Sequence, residues 1–503
     1  MRQSAYVHFA VEEMLQLNQP QTMQPTAYDT AWVARLTNED GSLAYPDALQ
    51  WVLERQHPDG SWGGKPHYLH DRILSTLAVV LLLARHGNRV QDHQQRKAGE
   101  RYIWQNCGRL HYDPHATIGF ELLLPAMLQE AQELGIDVPY RQFQHINQAR
   151  AKKLALLPTD ALLSQRTTAL FSLEAFRELV AGRAEAASHL LLPNGSLAVS
   201  PAATAFLLSQ SPNWRRDYPQ SARYIDDLLA AHQGGAPHVA PYDIFLRAWM
   251  LTNLHYARLT LQHRASIQPH TDYLLRVWRS EGVGYSSFEP LTDSDDTALA
   301  ALCLHRAGHR VSAKILRSYE RNEHFACYDY EKDPSISANL HVLEALELFP
   351  KQDQRRVREK IIGYLLRSRK YGSFWSDKWH VSAYYPTSLA LLILSRYIPG
   401  ELEATVGWII HTQHPDGGWG SYGSTAEETA MTLIALLHYQ QQVGPIDQEA
   451  LRRAAAYLLL HEQPFQGHYP ELWIGKVLYA PVPVIRSTIL AALGLYDAVI
   501  GVY

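Results

Sequence analysis

The stretch QHPDGSWG at residues 56–63 returns almost unchanged as QHPDGGWG at residues 413–420. Weaker copies of this Gly–aromatic or Gly–apolar turn begin at Gly195, Gly284 and Gly372, and each is followed by a stretch rich in Ala, Thr and Leu. Such a unit cannot bury its apolar face alone, so the copies are expected to stack as helical hairpins. Glycine suits the tight turn and tryptophan suits packing against a neighbouring helix, which makes the repeat a structural fastener.

The remaining pattern of the chain is helical. Signals for strands are scarce, and apolar residues recur with helical spacing, as at residues 297–304 and 429–437. The chain has 503 residues, which is long for a single core. We therefore predict an all-α fold of two α/α barrels, in which the helical hairpins are arranged around two rings.

The composition excludes several classes of protein. Lys and Arg together number 46 against 50 for Asp and Glu, so no basic field indicates a nucleic-acid partner. Glu12 and Glu13 stand where a signal peptide needs its apolar stretch, and the mainly apolar run at residues 73–84 is shorter than the roughly 20 residues that span a bilayer. We expect no stable membrane insertion. Three scattered cysteines favour a reducing, cytoplasmic location.

A short acidic cluster, LTDSDDTALAA at residues 291–301, has two interpretations. In the first it is the start of a helix, in which Asp293 or Ser294 caps the helix and the next two acids favour the positive end of its dipole. The chain supports this interpretation internally, because STAEETAMTL at residues 424–433 places two glutamates before an equivalent Thr-Ala.

In the second interpretation the cluster is a source of protons. Protonating a carbon–carbon double bond requires a strong, neutral carboxylic acid that is held in a dry cavity. Carboxyl groups that are packed together cannot all ionise, so they share protons and one stays neutral. Hydrogen bonds to that acid direct its proton and stabilise the carboxylate that is left behind.

The cluster also carries a resemblance to a known family. DSDDTA at residues 293–298 resembles the DxDD motif of class II terpene cyclases, and TAYDTAWVARL at residues 26–36 is similar to the SAYDTAWVA signature of diterpene cyclases. The likeness is to bacterial class II diterpene cyclases, a family that includes synthases of tuberculosinyl (halimadienyl), kolavenyl and copalyl diphosphates. Further similar segments follow in order: DRILSTLA (71–78), TIGFELLLPAML (117–128), FSLEAF (171–176), PNGSLAVSPAATA (193–205), GGAPHVAPYDIF (234–245), DYLLRVW (272–278), PSISANLHVLEAL (334–346), DKWHVSAYY (377–385) and LWIGKVLY (472–479).

The resemblance implies a βγ architecture and a reaction. Residues 1–20 and 256–503 are expected to form the β domain with the DxDD motif, and residues 21–255 the inserted γ domain. The expected reaction is protonation of geranylgeranyl diphosphate and its closure to a bicyclic diterpenyl diphosphate. The sequence has no DDxxD metal motif, so the diphosphate is expected to be retained and the product to pass to a downstream class I synthase or a phosphatase.

The matching positions imply the catalytic residues. Asp295 falls at the proton-donor position of the family, and Asp293 and Asp296 fall at its flanking acids. Asn339 sits where the family places an amide that hydrogen-bonds the donor, which would orient the carboxyl and stabilise its conjugate base. The alternative for Asn339 is an amide that is satisfied by backbone groups.

Two further residues are matched to the diphosphate. Lys153 falls near the family's diphosphate-binding lysine, although its neighbour Lys152 could exchange roles with it and either could be a solvated surface lysine. Glu121 is expected to hold Mg²⁺ against the diphosphate; otherwise it is a surface or ion-paired acid. Mg²⁺ is therefore the expected cofactor.

A carbocation needs walls that are polarisable but not nucleophilic, and aromatic faces provide them. Core packing is the alternative role for each aromatic residue taken singly. The candidates for such a pocket are Tyr285, Phe288, Trp375, Trp379, Tyr384 and Tyr385.

Two positions bear on the product. In plant copalyl diphosphate synthases that resemble this chain, a histidine and an asparagine hold the water that removes the terminating proton. Phe171 and His238 occupy the matching positions here. Phenylalanine neither accepts a proton nor anchors water, which favours a rearranged product such as kolavenyl or halimadienyl diphosphate. Histidine remains a competent base, so unrearranged copalyl diphosphate is the alternative.

Three other functions fit the sequence less well. A squalene–hopene-type triterpene cyclase shares the DxDD motif and the repeats, but the short chain, the YDTAW signature and the lysine argue against it. A non-catalytic α/α-barrel binding protein would not need the intact aspartate cluster with Asn339. A zinc prenyltransferase would need an Asp/Cys/His site that the sequence does not assemble.

Overall fold

The chain divides into two compact helical units in a computed structural model, which describes residues 3–16, 23–155, 162–329, 331, 333–463, 465 and 467–501. The terminal unit comprises Met1–Thr22, Tyr242–Tyr469 and Pro481–Tyr503, and the inserted unit comprises Met23–Pro241 and Pro470–Ala480. The only strands in the described part of the chain are two short ones that pair with each other. The predicted all-α class is confirmed.

The helices follow one another in chain order. The terminal unit begins with α1 (Gln3–Leu15). The inserted unit contributes α2 (Ala27–Val33), α3 (Pro46–Leu53), α4 (Leu69–His86), α5 (Val90–Asn106), α6 (Phe120–Glu133), α7 (Gln144–Leu154), α8 (Arg177–Val180), α9 (Pro201–Leu208), α10 (Trp214–Asp217) and α11 (Pro219–Ala231). The terminal unit continues with α12 (Asp243–Tyr256), α13 (Arg264–Val277), α14 (Ser294–Arg306), α15 (Ile336–Glu344), α16 (Lys351–Ser368), α17 (Tyr384–Leu394), α18 (Glu403–His411), α19 (Ala426–Gln442) and α20 (Gln448–Glu462).

The remaining elements are short or lie near the C-terminus. After the antiparallel strands β1 (Trp473–Ile474) and β2 (Leu478–Tyr479), the chain ends with α21 (Val482–Ile500). Short 3₁₀ helices lie at Leu110–Tyr112, Tyr140–Phe143, Thr168–Phe176, Ala184–Leu190, Lys314–Tyr319, Ala345–Leu348 and Pro399–Glu401.

The bounds of the two units differ from the predicted domains in two places. Helix α12 was expected in the inserted domain, but it belongs to the terminal unit because it packs against α14 and α21 of that unit. Residues 470–480 were expected in the β domain, but they belong to the inserted unit. The predicted boundary at residue 20 falls on residues 17–22, which lie outside the described part of the chain.

Six helices of the terminal unit form a closed ring. Helices α12, α14, α15, α17, α19 and α21 pack side by side in this order, and α21 packs again against α12. Residues 294–304 of α14 are all buried, as expected for a helix that is covered on every side. Helix α16 instead buries only Val357, Ile361, Tyr364 and Leu365, spaced three or four residues apart, which is typical of an outer layer.

The inserted unit closes a smaller ring in the same way. Helices α2, α4 and α6, the 3₁₀ segment Thr168–Phe176 and helix α9 pack in succession, and α9 packs again against α2. The core of this unit includes the nearly uninterrupted apolar run of α4, which is buried from residue 69 to residue 83. The predicted pair of α/α barrels therefore corresponds to one closed ring in each unit.

The two strong copies of the repeat have the same geometry. Nε1 of Trp62 donates to the carbonyl oxygen of Val52 at 2.8 Å, and Nε1 of Trp419 donates to that of Ile409 at 2.8 Å. The amide of Gln413 donates to the carbonyl oxygens of Gly417 and Ala450 at 2.8 and 2.9 Å, and Gln56 makes the equivalent pair of bonds. The glutamine thus joins the turn to the next outer helix, as a structural fastener does.

A threonine in the following helix completes each copy of the repeat. Its Oγ1 accepts a backbone N–H from the turn at 2.8–3.0 Å. The copy predicted to begin at Gly284 begins two residues earlier, because Gly282 has the left-handed backbone (φ +86°) and Val283 makes the bond. The pairs of donor and acceptor residues are Trp62 and Thr76, Leu197 and Thr204, Val283 and Thr297, Trp375 and Thr387, and Trp419 and Thr429.

Helix α21 (Val482–Ile500) is longer than the apolar run at residues 73–84. By length and composition alone it is sufficient to cross a membrane, but 72% of its apolar window is buried inside the protein. It packs against α12 and α19 of the closed ring and against α1 and α20. In this structure α21 is therefore a core helix of the terminal unit.

The turn glycine of the repeat gives a test of its structural role. A Cβ on Gly417, where φ is +91°, would lie 2.6 Å from the carbonyl oxygen of Arg453. We expect Gly417→Ala to lower the free energy of unfolding by at least about 1–2 kcal/mol, because the left-handed backbone and the clash add. Gly407→Ala in α18 is the control, since a Cβ there meets no atom within 4 Å. Urea denaturation should show it unchanged or more stable; equal effects of both substitutions would contradict the assigned role.

Candidate active site

Three aspartates lie together at the first turn of α14 in the terminal unit. Asp293 is the N-cap, and its Oδ1 accepts the backbone N–H of Asp296 at 2.7 Å. Asp293, Asp295 and Asp296 are exposed by only 1, 8 and 5%, so Asp295 is the most accessible of the three. The capping interpretation is therefore correct, and it coexists with a cluster of buried carboxyl groups.

Burial controls the protonation of this cluster. Burial first, and then the neighbouring charge of Asp295, raises the pKa of Asp293 to about 7. Burial, followed by the charge of Asp293, raises the pKa of Asp296 well above its usual range. Both shifts follow from placing like charges in a medium that solvates them poorly. The cluster therefore retains protons near neutral pH.

Asp295 has a histidine partner that the sequence analysis did not identify. Nδ1 of His341, on α15, lies 2.5 Å from Oδ1 of Asp295, and both side chains are buried. An imidazole N–H at this position stabilises a carboxylate on Asp295 and leaves Oδ2 as the oxygen that can carry a transferable proton. His341 lies in the quoted segment PSISANLHVLEAL, but nothing in its pattern set it apart from a core histidine.

Asn339 makes other contacts than the one expected of it. Its Nδ2 donates to the carbonyl oxygens of Phe325 and Ser335, and its Oδ1 accepts the N–H of Phe325, each at 2.8 Å. These bonds fit the alternative of an amide that is satisfied by backbone groups. The physical reason is periodicity: two residues along an α-helix turn by about 200°, so Asn339 and His341 occupy opposite faces of α15.

A largely apolar cavity lies inside the ring of helices beside the Asp295–His341 pair. Its wall includes His341, Trp249 and Tyr385, with Leu299, Leu389 and Ile434 among the apolar residues. The indole of Trp249 meets His341 edge-on, with ring centroids 5.4 Å apart, and its Nε1 donates to the hydroxyl of Tyr385 at 3.4 Å. Tyr385 is thus the one predicted aromatic residue that the structure brings to this cavity within the described part of the chain.

Two other predicted aromatic residues have structural contacts. Trp375 is fully buried and donates its indole N–H to the carbonyl oxygen of Leu365 at 2.7 Å, which is its role in the repeat. The hydroxyl of Tyr384 donates to the carbonyl oxygen of Thr412 at 3.4 Å. Both side chains fit the alternative of ordinary core packing.

The last three predicted aromatic residues lie away from the lining of that cavity. The ammonium nitrogen of Lys378 lies 4.8 Å from the ring centroid of Trp379. Phe288 is 37% exposed, and the ring of Tyr285 lies 5.5 Å from that of Tyr242. Burial, followed by the neighbouring acids, raises the pKa of Tyr285 well above its usual range, so its phenol stays neutral.

The inserted unit contains a second buried polar cluster, centred on Lys476. Its ammonium donates to Oε1 of Glu174 and Oγ of Ser200, each at 2.8 Å, and to the carbonyl oxygen of Phe171 at 2.9 Å. Each of the three N–H groups of the Lys476 ammonium therefore has an acceptor inside the protein. The same ammonium lies 4.7 Å from the ring centroid of Phe171, so one face of that ring already meets a cation.

His238 belongs to the same cluster. Nε2 of His238 accepts the backbone N–H of Lys476 at 3.2 Å, and Nδ1 lies 3.2 Å from Oδ2 of Asp29. These contacts assign the ring proton to Nδ1 and occupy both nitrogens. The imidazole ring of His238 lies so close to the backbone of Gly475 that a Cβ on Gly475 would be 2.0 Å from Nε2 of His238. The rings of Phe171 and His238 meet edge-on at 5.2 Å, so the structure brings together the two residues that the sequence paired.

Lys153 and Glu121 also lie together in the inserted unit. Their side chains form an ion pair of 2.7 Å and are 44 and 25% exposed. In the described residues, no group of three or more His, Cys, Asp or Glu side chains is arranged to hold a metal ion. A lone, partly exposed carboxylate fits a metal ion that is shared with substrate phosphates, and does not fit a cage built by protein ligands alone.

Comparison with known proteins places the chain among terpene cyclases. The family model described as the squalene-hopene cyclase C-terminal domain matches residues 313–479. The type B diterpene cyclase of Mycobacterium tuberculosis is 34% identical over 94% of this chain and 95% of its own length. The (-)-kolavenyl diphosphate synthase of Tripterygium wilfordii is 30% identical over 75% of this chain and 44% of its own. The chain spans about half the length of the plant relatives it matches.

Solved structures agree with these relatives. The ent-copalyl diphosphate synthase of Streptomyces platensis has a TM-score of 0.79 and 26% identity, over 98% of this chain and 99% of that one. The ent-copalyl diphosphate synthase of Arabidopsis thaliana, in complex with (S)-15-aza-14,15-dihydrogeranylgeranyl thiolodiphosphate, has a TM-score of 0.73 and 26% identity, over 97% of this chain and 63% of that one.

Two closed rings of helices with buried aspartates at an inner helix start define a protein of the terpene cyclase class. The similarity to the mycobacterial enzyme extends over nearly the whole of both chains. The chain belongs to the class II diterpene cyclases, and the family predicted from the sequence is confirmed.

The raised pKa of Asp293 predicts a dependence of stability on pH. A carboxyl with a folded-state pKa of about 7 and an unfolded value near 4 stabilises the fold below pH 4, and this contribution is lost as the pH rises to 7. Asp293→Asn keeps an accepting oxygen for the cap but cannot ionise. We expect it to gain roughly 2–4 kcal/mol relative to the parent between pH 4 and pH 8. Urea denaturation at both pH values measures this; a difference that does not change with pH would contradict the raised pKa.

Proposed function

We propose that this cyclase protonates geranylgeranyl diphosphate and closes it to a bicyclic diterpenyl diphosphate that keeps its diphosphate. The observation that carries the proposal is the buried aspartate cluster, in which Asp295 is the most accessible acid and bonds to His341. The Arabidopsis synthase in complex with an aza analogue of geranylgeranyl thiolodiphosphate supports the choice of substrate.

Asp295 is assigned as the proton donor. Its O–H bond breaks as a C–H bond forms on the terminal double bond, and the resulting cation is captured by the next double bonds of the chain. The N–H of His341 stabilises the carboxylate left on Asp295, so His341 acts as a positioning residue. The raised pKa values of Asp293 and Asp296 keep negative charge low around the donor before the reaction. The conjugate base of the donor is thus stabilised once the proton has been transferred.

The cavity that His341 lines has walls that suit a positive charge. Its lining includes the aromatic residues Trp249, Tyr256 and Tyr385 and several aliphatic residues. Aromatic rings stabilise positive charge without forming a bond to it. Exclusion of water protects the cation from premature capture.

Lys153 and Glu121 are assigned to the diphosphate. The ammonium of Lys153 is partly exposed, and its only charged partner among the described residues is Glu121. Glu121 would share Mg²⁺ with the substrate phosphates, and the bound ion would neutralise part of the diphosphate charge. Lys476 is unsuited to this role because its three N–H groups are already bonded inside the protein.

The product is proposed to be a rearranged diphosphate of the kolavenyl or halimadienyl type. Phe171 offers no lone pair to a water or a proton. His238 offers none either while its Nε2 accepts the N–H of Lys476 and its Nδ1–H bonds Asp29. With no base at these two positions, the bicyclic cation persists long enough for hydride and methyl shifts before another group removes a proton.

Replacement of the donor tests the proposed reaction. We expect Asp295→Asn to lower turnover of geranylgeranyl diphosphate with Mg²⁺ by at least about 10²–10⁴-fold, because an amide cannot donate the initiating proton. The product is measured by mass spectrometry after dephosphorylation. Glu427→Gln is the matched control, since Glu427 is a buried acid at the equivalent position of α19. Near-normal turnover by Asp295→Asn, or an equal loss in both variants, would contradict the assignment.

A substitution at Phe171 tests the proposed product. Phe171→His restores a possible base, so we expect part of the flux to move to unrearranged copalyl diphosphate. Phe171→Leu removes the aromatic ring without adding a base and should give no copalyl product by this route. NMR of the dephosphorylated diterpenol distinguishes the skeletons. A plain labdane skeleton from the parent enzyme would contradict the proposal.

A further inference from the structure

The turn between strands β1 and β2 is packed against His238 in the inserted unit. This hairpin turn consists of Gly475, Lys476 and Val477. The backbone N–H of Lys476 donates to Nε2 of His238 at 3.2 Å, and Tyr479 of β2 stacks on the imidazole with ring centroids 5.4 Å apart. A two-stranded hairpin is at best marginally stable by itself, so the position of the hairpin turn depends on its contacts with the rest of the unit.

The side chain of Lys476 fixes the hairpin turn to the inserted unit. Its fully buried ammonium donates to Glu174, to Ser200 and to the carbonyl oxygen of Phe171 at 2.8–2.9 Å. The hydroxyl of Tyr28 donates to the same Oε1 of Glu174 at 3.0 Å and so holds the carboxylate in place. Hydrogen bonds that involve charged groups are stronger than neutral ones. The ammonium of Lys476 is therefore a firm point of attachment for the hairpin turn.

The fit between the hairpin turn and the imidazole leaves no spare room. A Cβ on Gly475 would lie 2.0 Å from Nε2 of His238, and the carbonyl oxygen of Gly475 accepts the N–H of Ile118 at 2.8 Å. The bond of 3.2 Å from Lys476 to His238 is at the long end of the range for an N–H donor. A small displacement of the hairpin turn away from the ring therefore breaks this bond and frees Nε2.

We propose that Lys476 determines the product of the cyclisation by holding the hairpin turn against His238. The inference rests on the proposed function, in which a base at this position would end the reaction early. A free Nε2 would take a proton from carbon: the C–H bond breaks, an N–H bond forms, and the electron pair becomes the double bond of copalyl diphosphate. The N–H of Lys476 occupies that nitrogen. Lys476 is thus a positioning residue, which acts through His238 and does not contact the substrate.

Removal of both charges of the ion pair tests this role. Lys476→Met with Glu174→Gln leaves no unpaired buried charge and keeps an oxygen that accepts the hydroxyl of Tyr28. We expect the ratio of copalyl to rearranged diphosphate to rise by about 5- to 100-fold, because loss of a buried hydrogen bond has effects of this size. NMR of the dephosphorylated alcohols measures the ratio. Addition of His238→Leu should return it to the parental value, since the released base is then absent.

The pH dependence of the product ratio separates this role from a merely structural one. In the double variant, the ratio should rise between about pH 6 and pH 8, because only a neutral imidazole accepts a proton. Loss of stability alone would give no such dependence.

Gly475→Ala is an independent variant, since it keeps the ion pair of Lys476 and forces the hairpin turn and His238 apart. Gly475 has no positive φ, so alanine fits its backbone conformation. This substitution should shift the product ratio in the same direction as the double variant.

Arg35→Met with Glu130→Gln is the matched control. It removes another buried ion pair of the inserted unit, with atoms 3.3 Å apart, and should leave the product ratio at the parental value. An unchanged ratio in both the Lys476 double variant and Gly475→Ala, or an equal change in the control, would overturn the role of Lys476. Copalyl diphosphate as the parental product would overturn both this role and the proposed product.

A measurement without substrate keeps the two failures apart. Histidine ¹⁵N NMR reports whether Nε2 of His238 accepts a hydrogen bond. We expect that bond in the parent and in the Arg35 control, and its loss in the Lys476 double variant and in Gly475→Ala. A bond that persists in the double variant would overturn the inference. Absence of a bicyclic product from the parent would instead reject the proposed function.

Discussion

Repulsion between carboxyl groups in a buried space is the interaction on which the candidate site depends. Asp293, Asp295 and Asp296 share the first turn of α14, and this helix is covered along its length by the other helices of the closed ring. Because the surroundings solvate charge poorly, the group cannot ionise fully. The ring of helices therefore has a chemical role besides its structural one: it makes the carboxyls hold their protons near neutral pH.

The N-terminus of α14 favours ionised carboxylates and so opposes the effect of burial. The relative sizes of these two free energies decide whether the carboxyls keep their protons. A helix N-terminus favours a nearby carboxylate by about 0.3–2 kcal/mol, and the N–H of Asp296 bonds Asp293 directly. Burial prevails, since the pKa of Asp293 still rises to about 7. The dipole and His341 instead assist the state that follows proton transfer, when Asp295 carries a charge. In the proposed reaction, burial keeps protons in the cluster, and these contacts stabilise the anion that forms when one proton leaves.

Local sequence patterns predicted the fold better than the contacts of the site. The repeats at residues 56–63 and 413–420 specified turn, tryptophan and glutamine contacts that depend on a few neighbouring residues. The acidic cluster was visible because its members are adjacent in sequence. The partner of Asp295 was not, because Asn339 and His341 differ only in the face of α15 that they occupy, and that face is set by packing against α14. The contacts of Lys476 could not be predicted for a similar reason: its partners Phe171 and Glu174 are about 300 residues away in sequence.

Two histidines illustrate how hydrogen bonding determines chemical capacity. His341 uses Nδ1 to bond the carboxyl of Asp295 and thereby tunes an acid. His238 has Nδ1 beside Asp29 and Nε2 on the N–H of Lys476. To accept a proton at Nε2, His238 must first lose that bond and leave a buried amide N–H unpaired, which costs roughly 1–3 kcal/mol. The lifetime of the cation in the proposed reaction is therefore set by backbone contacts of the inserted unit as well as by the loss of a base at Phe171.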